Sequence, residues 1–426
     1  MENVRLKIID FDYKGGGVAK LDNKTVFLDG GVIGDVVEAE ILEDKKRFFT
    51  ARVLSVLKDS PYRIKSKCNY SGVCGGCDFL EFDYKEQLKW KREKVTNDLR
   101  RIGSIDGEVK DTLGMKTPYY YRNNIQLKVL DGKLGYYKKN TKELVEVSRC
   151  IIAKDEINNF IRILRTWKGI KSVDEVSIRE NYRGEIMAVF ISSKGVKNFN
   201  TLLPKIVESN VVSVFENINR NRKVRFGREF KKLYGSDYLN EELLGMKFKL
   251  SPRSFFQVNL LQTEKLYNVA LKSLKLEKKD RLLDLYCGIG TISLLAADKV
   301  KEVVGVEVVE DAVEDARLNA KLNNITNSRF ICGKSEDVLH KLYENNSLYF
   351  NKIVLDPPRT GLDKSLINTL LKLGADKIAY ISCNPSTQSR DLKLLSEDYK
   401  VELIQPVDMF CNSVHVENVV LLQRNK

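Results

Sequence analysis

The stretch RLLDLYCGIGTISLLAA, residues 281–297, constrains the fold of this chain more than any other. It reads as an apolar strand, a glycine-bearing turn and a helix. Downstream, the apolar runs EVVGVEV, SRFIC, KIVLD, KIAYIS, KVELIQ and ENVVLLQ alternate with helical segments. That alternation predicts a doubly wound α/β sheet, largely parallel, over residues 251–426, with ligands seated outside the carboxyl ends of its strands.

The chemistry-bearing residues map onto those ends. Tyr286 and the YCGIG turn follow the first strand, Glu307 ends the second, Asp356 ends the fourth and Cys383 ends the fifth. One cleft can therefore hold them all. Glu307 stands 17 residues beyond Gly290, a spacing that suits hydrogen bonds to ribose hydroxyls. A dinucleotide would fit the same layout, but Ser293 occupies the place of the third glycine and no other nicotinamide signal is present. S-adenosylmethionine, with a ribose and no phosphates, accounts better for these features. In VLDPPRTG the two prolines lack amide donors and hold the chain extended, which presents Asp356 to the cleft. A DPP sequence at this point also resembles the amino-methyltransferase motif, a reading that leaves Cys383 without a role.

Cys383 precedes Asn-Pro and the helical STQSRDLKLL, and a helix amino terminus can lower a thiol pKa. An inert buried cysteine is the alternative. Uracil chemistry gives the thiol a purpose: C5 accepts a methyl group only after a nucleophile adds at C6, and a base must then remove the C5 proton. Glu417, 34 residues after Cys383 at the start of the last apolar run, can serve as that base. The two histidines, His340 and His415, leave little for a histidine-based hydrolase; His415 could orient Glu417 or serve the structure alone.

Charge points to the partner. With 72 Lys+Arg against 58 Asp+Glu, the chain carries +14, which favours RNA or DNA. Its beginning lacks an apolar signal core and no run is long enough to span a membrane, so a soluble cytoplasmic protein is expected. Basic and aromatic residues interleave over Asn219–Lys232, a phosphate-tracking candidate, and Tyr119–Gln126 offers rings and amides to an unpaired loop. The target base must leave its stack to reach Cys383, so loop or single-stranded RNA is expected. Residues 1–58 read as short alternating strands of a small β-barrel, and residues 59–250 as a mixed middle domain. Eight cysteines without a secretory signal suggest ligands, nucleophiles or core. Cys68, Cys74 and Cys77 in CNYSGVCGGC, with distant Cys150, form a four-thiolate pattern; zinc and an iron–sulfur cluster both fit, the spacing leaning to zinc.

The motifs SCNP, DPPRTG, LDLYCGIGTISL, SFFQVN and HVE resemble, over essentially the whole chain, the bacterial RNA uracil-5 methyltransferase family. CNYSGVCGGC with Cys150 resembles its iron–sulfur-containing 23S rRNA branch. The resemblance implies a Rossmann-like class I methyltransferase domain at 251–426, a TRAM domain of OB-like fold at 1–58, and a middle domain at 59–250 carrying the cluster and an RNA surface. It implies Cys383 as nucleophile and Glu417 as base, with Gln257, Tyr286, Glu307 and Asp356 around S-adenosylmethionine and Asp356 also engaging the flipped uracil. It further implies a [4Fe–4S] cluster on Cys68, Cys74, Cys77 and Cys150, and a monomer making 5-methyluridine in 23S rRNA. The rival readings are the same reaction on the tRNA T-loop and a non-catalytic RNA-binding assembly factor. The barrel and the four cysteines weigh against the tRNA reading, because dedicated bacterial tRNA enzymes of the family generally lack both. LDGGVIGD departs from the family in lacking a proline before its first glycine.

Overall fold

The computed structural model describes residues 3–221, 223–344 and 349–425. The first sheet has the strand order Asn3–Lys7, Val36–Asp44, Phe48–Lys58, Lys24–Leu28, Gly17–Leu21, Asp10–Phe11. Its two outermost strands are consecutive in the chain and only two residues apart, so the sheet closes on itself as a barrel. Alternate side chains, among them Leu6, Ala19, Val26, Val37 and Ala51, fill the interior. The barrel docks through Phe11, which stacks in an aromatic cluster with Phe79, Phe82 and Trp90, while the Trp90 indole donates to Asp10 at 2.7 Å.

The middle sheet runs Glu229–Gly235, Val211–Ile218, Ile186–Ser192, Glu175–Glu180, Asn124–Leu130, Lys133–Tyr137, Leu144–Glu146. Ile186–Ser192 is buried along its whole length, because one face meets the helices of its own sheet and Met187, Val189 and Ile191 join the core of the C-terminal region. The continuous apolar run IMAVFIS is the sequence counterpart of that two-sided burial.

The C-terminal sheet contains seven strands: Arg281–Leu285, Glu302–Glu307, Ser328–Cys332, Lys352–Leu355, Lys377–Ser382, Tyr399–Val407 and Glu417–Arg424. Their spatial order is third, second, first, fourth, fifth, seventh, sixth. Neighbours among the first five pair in parallel, while the seventh is antiparallel to the fifth and sixth. Odd and even positions face opposite helical layers: Leu282, Val303 and Val354 meet Leu260–Leu274 and its neighbours, and Leu283, Val304 and Ile353 meet the other side. On that second side Val95, Leu99 and Val109 enter the same core, so helix Tyr84–Asp98 and the strand-like stretch after it pack with the C-terminal sheet although some 170 residues of chain intervene. No helix among the described residues is long and apolar enough to cross a membrane.

Candidate active site

Parallel pairing puts the carboxyl ends of the first, second, fourth and fifth strands on one edge, and there stand Tyr286, Glu307, Asp356 and Cys383. The seventh strand runs the other way, so its first residue, Glu417, arrives at that edge too. The register pairs Ser382 with Asn418, which sets Cys383 and Glu417 across from one another.

The turn after the first strand makes a cradle. Tyr286 has φ +67°, a region unfavourable for a residue with a Cβ, and Gly288 (φ +53°) faces open space with nothing within 4 Å of where a Cβ would be. The Glu307 carboxylate accepts the N–H groups of Gly288 (3.1 Å) and Val309 (2.9 Å), which fixes its orientation beside the turn. Ser293, in the third glycine's place, donates at 2.6 Å to buried Asp284, whose Oδ1 is left without a hydrogen-bond partner. Burial pushes the Asp284 carboxyl up to about 7.

Deeper in the cleft the acids continue. Burial and then the neighbouring Asp284 push Asp356 up to about 7. Glu417 rises to about 8, through burial first and Asp356 second, with Arg359 opposing. Gln257 is buried and shares a hydrogen bond with Tyr267, a phenol whose pKa is raised by burial and by Asp356. The backbone carbonyl of Gln257 also accepts the Asn123 amide at 3.2 Å, tying the middle sheet to the cleft.

The thiol of Cys383 departs from the sequence expectation. Its pKa is pushed up to about 11, by burial and then by Glu417, while Arg359 pulls it down. The helix Pro385–Leu395 does not reverse this, because Pro385 has no N–H and Asn384 already accepts the Ser386 N–H as the cap. Arg359, whose charge acts on both Cys383 and Glu417, is the candidate site residue that sequence reasoning missed, although it lies inside the quoted DPPRTG. Its carbonyl accepts Asn384 Nδ2 (3.0 Å) and Thr387 Oγ1 (3.1 Å), and Gly361 (φ +78°) packs so closely on Asp391 that a Cβ would lie 2.5 Å from its carboxylate. Those contacts clamp the DPPRTG loop to the start of the Cys383 helix. His415 is driven down to about 4 by burial and then Arg359, whose Nη2 stands 3.4 Å from its Nε2. It is therefore neutral, and it stands beside Arg359.

Cys68, Cys74, Cys77 and Cys150 line one cavity of about 250 Å³, together with Tyr136, Arg122 and Arg149. Burial and then Cys150 raise the Cys68 and Cys77 thiols, Cys77 far above its ordinary value. Among the described residues no three His, Cys, Asp or Glu side chains lie close enough together to hold a single metal ion.

The two RNA candidates fare differently. Over Asn219–Lys232, Arg222 lies outside the described residues, and Lys223, Arg228, Lys231 and Lys232 are exposed on a loop and the edge strand after it. In Tyr119–Gln126 only Tyr120 is exposed, its ring 5.1 Å from the Arg149 guanidinium. Tyr121, Asn123 and Asn124 are buried, and Tyr121 donates to the Cys411 carbonyl at 3.0 Å, so those rings and amides serve the fold.

Taken with its likeness to known RNA methyltransferases and to the TRAM domain, a doubly wound sheet with this strand-end cleft, preceded by a β-barrel, marks an S-adenosylmethionine-dependent RNA methyltransferase with an N-terminal TRAM domain. The TRAM domain pattern matches residues 2–54, and the pattern described as tRNA (Uracil-5-)-methyltransferase matches residues 83–425. The chain belongs to that uracil-5-methyltransferase family. An uncharacterized RNA methyltransferase of Clostridium tetani is 38% identical, covering 98% of this chain and 95% of its own. One from Listeria innocua is 37% identical, covering 99% and 97%. The solved Pyrococcus abyssi tRNA (uracil-54, C5)-methyltransferase, in complex with S-adenosyl-L-homocysteine, superposes with a TM-score of 0.78 at 26% identity, over 98% of this chain and 100% of that one.

Proposed function

We propose that the protein is a cytoplasmic, monomeric 23S rRNA (uracil-5-)-methyltransferase, organised as barrel 1–58, middle domain 59–250 and catalytic domain 251–426. The observation that carries the reaction is the pairing of Cys383 with Glu417 across adjacent strands, Asp356 and Arg359 beside them.

The half-buried Cys383 thiol gives its proton to solvent, its sulfur bonds to uracil C6, and the C5–C6 π pair shifts to leave C5 nucleophilic. Arg359 favours the thiolate against the two carboxylates. Bound S-adenosylmethionine supplies the methyl group that C5 takes. Glu417 then removes the C5 proton, and the sulfur–C6 bond breaks to release 5-methyluridine. Burial makes Glu417 a stronger base than a carboxylate in water once it is ionised. Glu307, held by two backbone N–H groups, keeps free lone pairs for ribose hydroxyls, and Gly288, with no atom within 4 Å of where its Cβ would be, leaves the turn open to an approaching adenosine. The line of acids from Asp284 to Glu417 favours a cationic sulfonium. Gln257, Tyr286 and Asp356 complete the donor's surroundings, Asp356 also reaching the flipped base.

The four thiols fit a [4Fe–4S] cluster held by Cys68, Cys74, Cys77 and Cys150. All four thiols line one cavity of about 250 Å³, and soft thiolate ligands suit such a cluster. The cluster's role is structural or RNA-positioning, since no electron moves in methyl transfer.

The likeness to the Pyrococcus abyssi tRNA enzyme favours a second reading, the same reaction on tRNA. That likeness covers 98% of this chain, so the barrel does not separate the two substrates. The deciding experiment incubates 5-fluorouridine-substituted 23S rRNA and tRNA with S-adenosylmethionine and either wild type or Cys383→Ala. Fluorine cannot leave as a proton, so the enzyme stalls covalently. An rRNA adduct with wild type alone supports the proposal, an adduct on tRNA alone moves the substrate, and none on either RNA overturns the thiolate mechanism. A non-catalytic assembly factor would also give none.

A further inference from the structure

Asn412 is almost fully buried and adopts a left-handed backbone, φ +63°. That conformation persists in a residue with a Cβ where its surroundings over-determine it. Three distant segments do so here. The Asn412 carbonyl accepts the N–H groups of Asp78 (2.9 Å) and Phe79 (3.1 Å), its own N–H donates to Gln87 Oε1 (3.2 Å), and its side-chain amide donates to the Pro118 carbonyl (2.7 Å).

Asp78 returns the tie. Its carboxylate accepts the Val414 N–H at 3.2 Å and pairs with Lys139 at 3.2 Å. Gly15 of the barrel packs so tightly on it that a Cβ there would lie 2.6 Å from the Asp78 Cβ. Val414 sits in the aromatic cluster of Phe11, Phe79 and Trp90. Asp78 directly follows Cys77, and Asn412 and Val414 precede Glu417 by five and three residues. A short path therefore runs from the four-cysteine loop, by hydrogen bonds to Asn412 and Val414 and then along three residues of chain, to Glu417, through two residues that the proposed chemistry does not use.

We propose that Asp78 and Asn412 are positioning residues that lock the 408–416 loop onto the Cys77 segment, so that the four-cysteine site sets the placement of Glu417 and with it the elimination step. This rests on the reading of Glu417 as the base. A displaced Glu417 leaves addition and methyl transfer intact but strands the methylated product on Cys383.

The test uses the full chain with unmodified uridine RNA and S-adenosylmethionine, following free methylated RNA and the gel-stable protein–RNA adduct. Asp78→Ala should lower kcat about ten-fold or more, leave KM for RNA within about two-fold and accumulate the methylated adduct. Asp78→Asn, which keeps an acceptor for the Val414 N–H, should recover most of the turnover. Amides of residues 412–418 should exchange with deuterium faster in Asp78→Ala and in Cys77→Ala alike, a readout independent of activity. Should Asp78→Ala not fold, Asn412→Gly, which tolerates the left-handed backbone but loses the side-chain bond to the Pro118 carbonyl and the one that Gln87 Nε2 donates to Asn412 Oδ1 (3.3 Å), should give the same adduct and exchange pattern. Wild-type turnover in these variants, or weakened RNA binding without adduct, overturns the positioning role. Unchanged exchange at 412–418 in Cys77→Ala overturns the link to the cysteines. Failure of the underlying reading is distinct, since Glu417→Gln would then turn over unmodified RNA without accumulating the methylated adduct.

Discussion

The strand-end cleft and the four-cysteine cavity both bury acids, but they are assembled from different materials. The cleft takes each group from the end of a paired strand, and its acids are carboxylates, Asp284, Asp356 and Glu417, with Arg359 among them. The cavity takes three thiols from one ten-residue loop and a fourth from Cys150, whose N–H is held by the Asn158 side chain at 2.7 Å, with Arg122 and Arg149 in the wall. The sheet can hold like charges near one another because its hydrogen-bonded frame does not depend on them. The loop is braced by backbone bonds, Cys74 N–H to the Tyr70 carbonyl and Gly75 N–H to the Tyr137 carbonyl, both 2.9 Å, but four thiolates gathered in one cavity need a bound centre to offset their repulsion. An acid-lined cleft suits a cation, and a thiol-lined cavity with two guanidinium groups suits a centre of net negative charge.

The largest effect expected from breaking the cleft is kinetic. Glu417→Gln should lower turnover by about 10²–10⁴-fold while leaving covalent addition to RNA in place, as judged by single-turnover assays and denaturing gels. Equal loss of both steps would remove Glu417 from the base role. On the other side of the comparison, Cys150→Ser should strip iron from anaerobically purified protein, together with absorbance at roughly 400 nm. Affinity for the methyl donor should hold, because the cleft does not draw on Cys150. A wild type that carries zinc and no colour would break the cluster reading.

A third effect is thermodynamic. The folded chain holds protons on Asp284, Asp356 and Glu417 up to about pH 7–8, whereas the unfolded chain releases them near the ordinary carboxylate range. Their contribution is fully present below that range and is lost as pH rises through the folded values, so stability should fall between pH 5 and pH 8, each of the three groups contributing on the order of 1–3 kcal/mol. Denaturant titrations across that window should show a flatter profile in Glu417→Gln, and a rising wild-type profile would contradict the burial of these acids. The smallest effect belongs to the turn. Ser293→Ala removes the hydrogen bond to Asp284 and should cost about 1 kcal/mol, measured at pH 8, where Asp284 is ionised.

Much of this was legible beforehand. The seven strands of the C-terminal sheet were readable because apolar runs alternated with helical spacing, and a parallel sheet puts its strand ends on one edge whatever its loops do. The barrel was readable from its short alternating strands, although Gly17–Leu21 was not singled out. The direction of the Cys383 shift was not readable. A nearby helix start suggested a lowered pKa, but the burial of the thiol and its closeness to Glu417 are sums over neighbours distant in the chain. Likewise YYYRNNIQ has the composition of an RNA-stacking surface, and only packing against Cys411 and Gln257 turns most of it inward.

Local periodicity and turn chemistry were therefore enough to determine the α/β class, the strand-end residues Tyr286, Glu307, Asp356 and Cys383, and the grouping of Cys68, Cys74 and Cys77, because each depends on neighbours within a few residues. The neutral His415 beside Arg359, the entry of Val95, Leu99 and Val109 into the C-terminal core, and the tie from Asp78 to Asn412 were decided by the folded chain. Burial and long-range hydrogen bonds are properties of the assembled packing, and no window of sequence contains both partners.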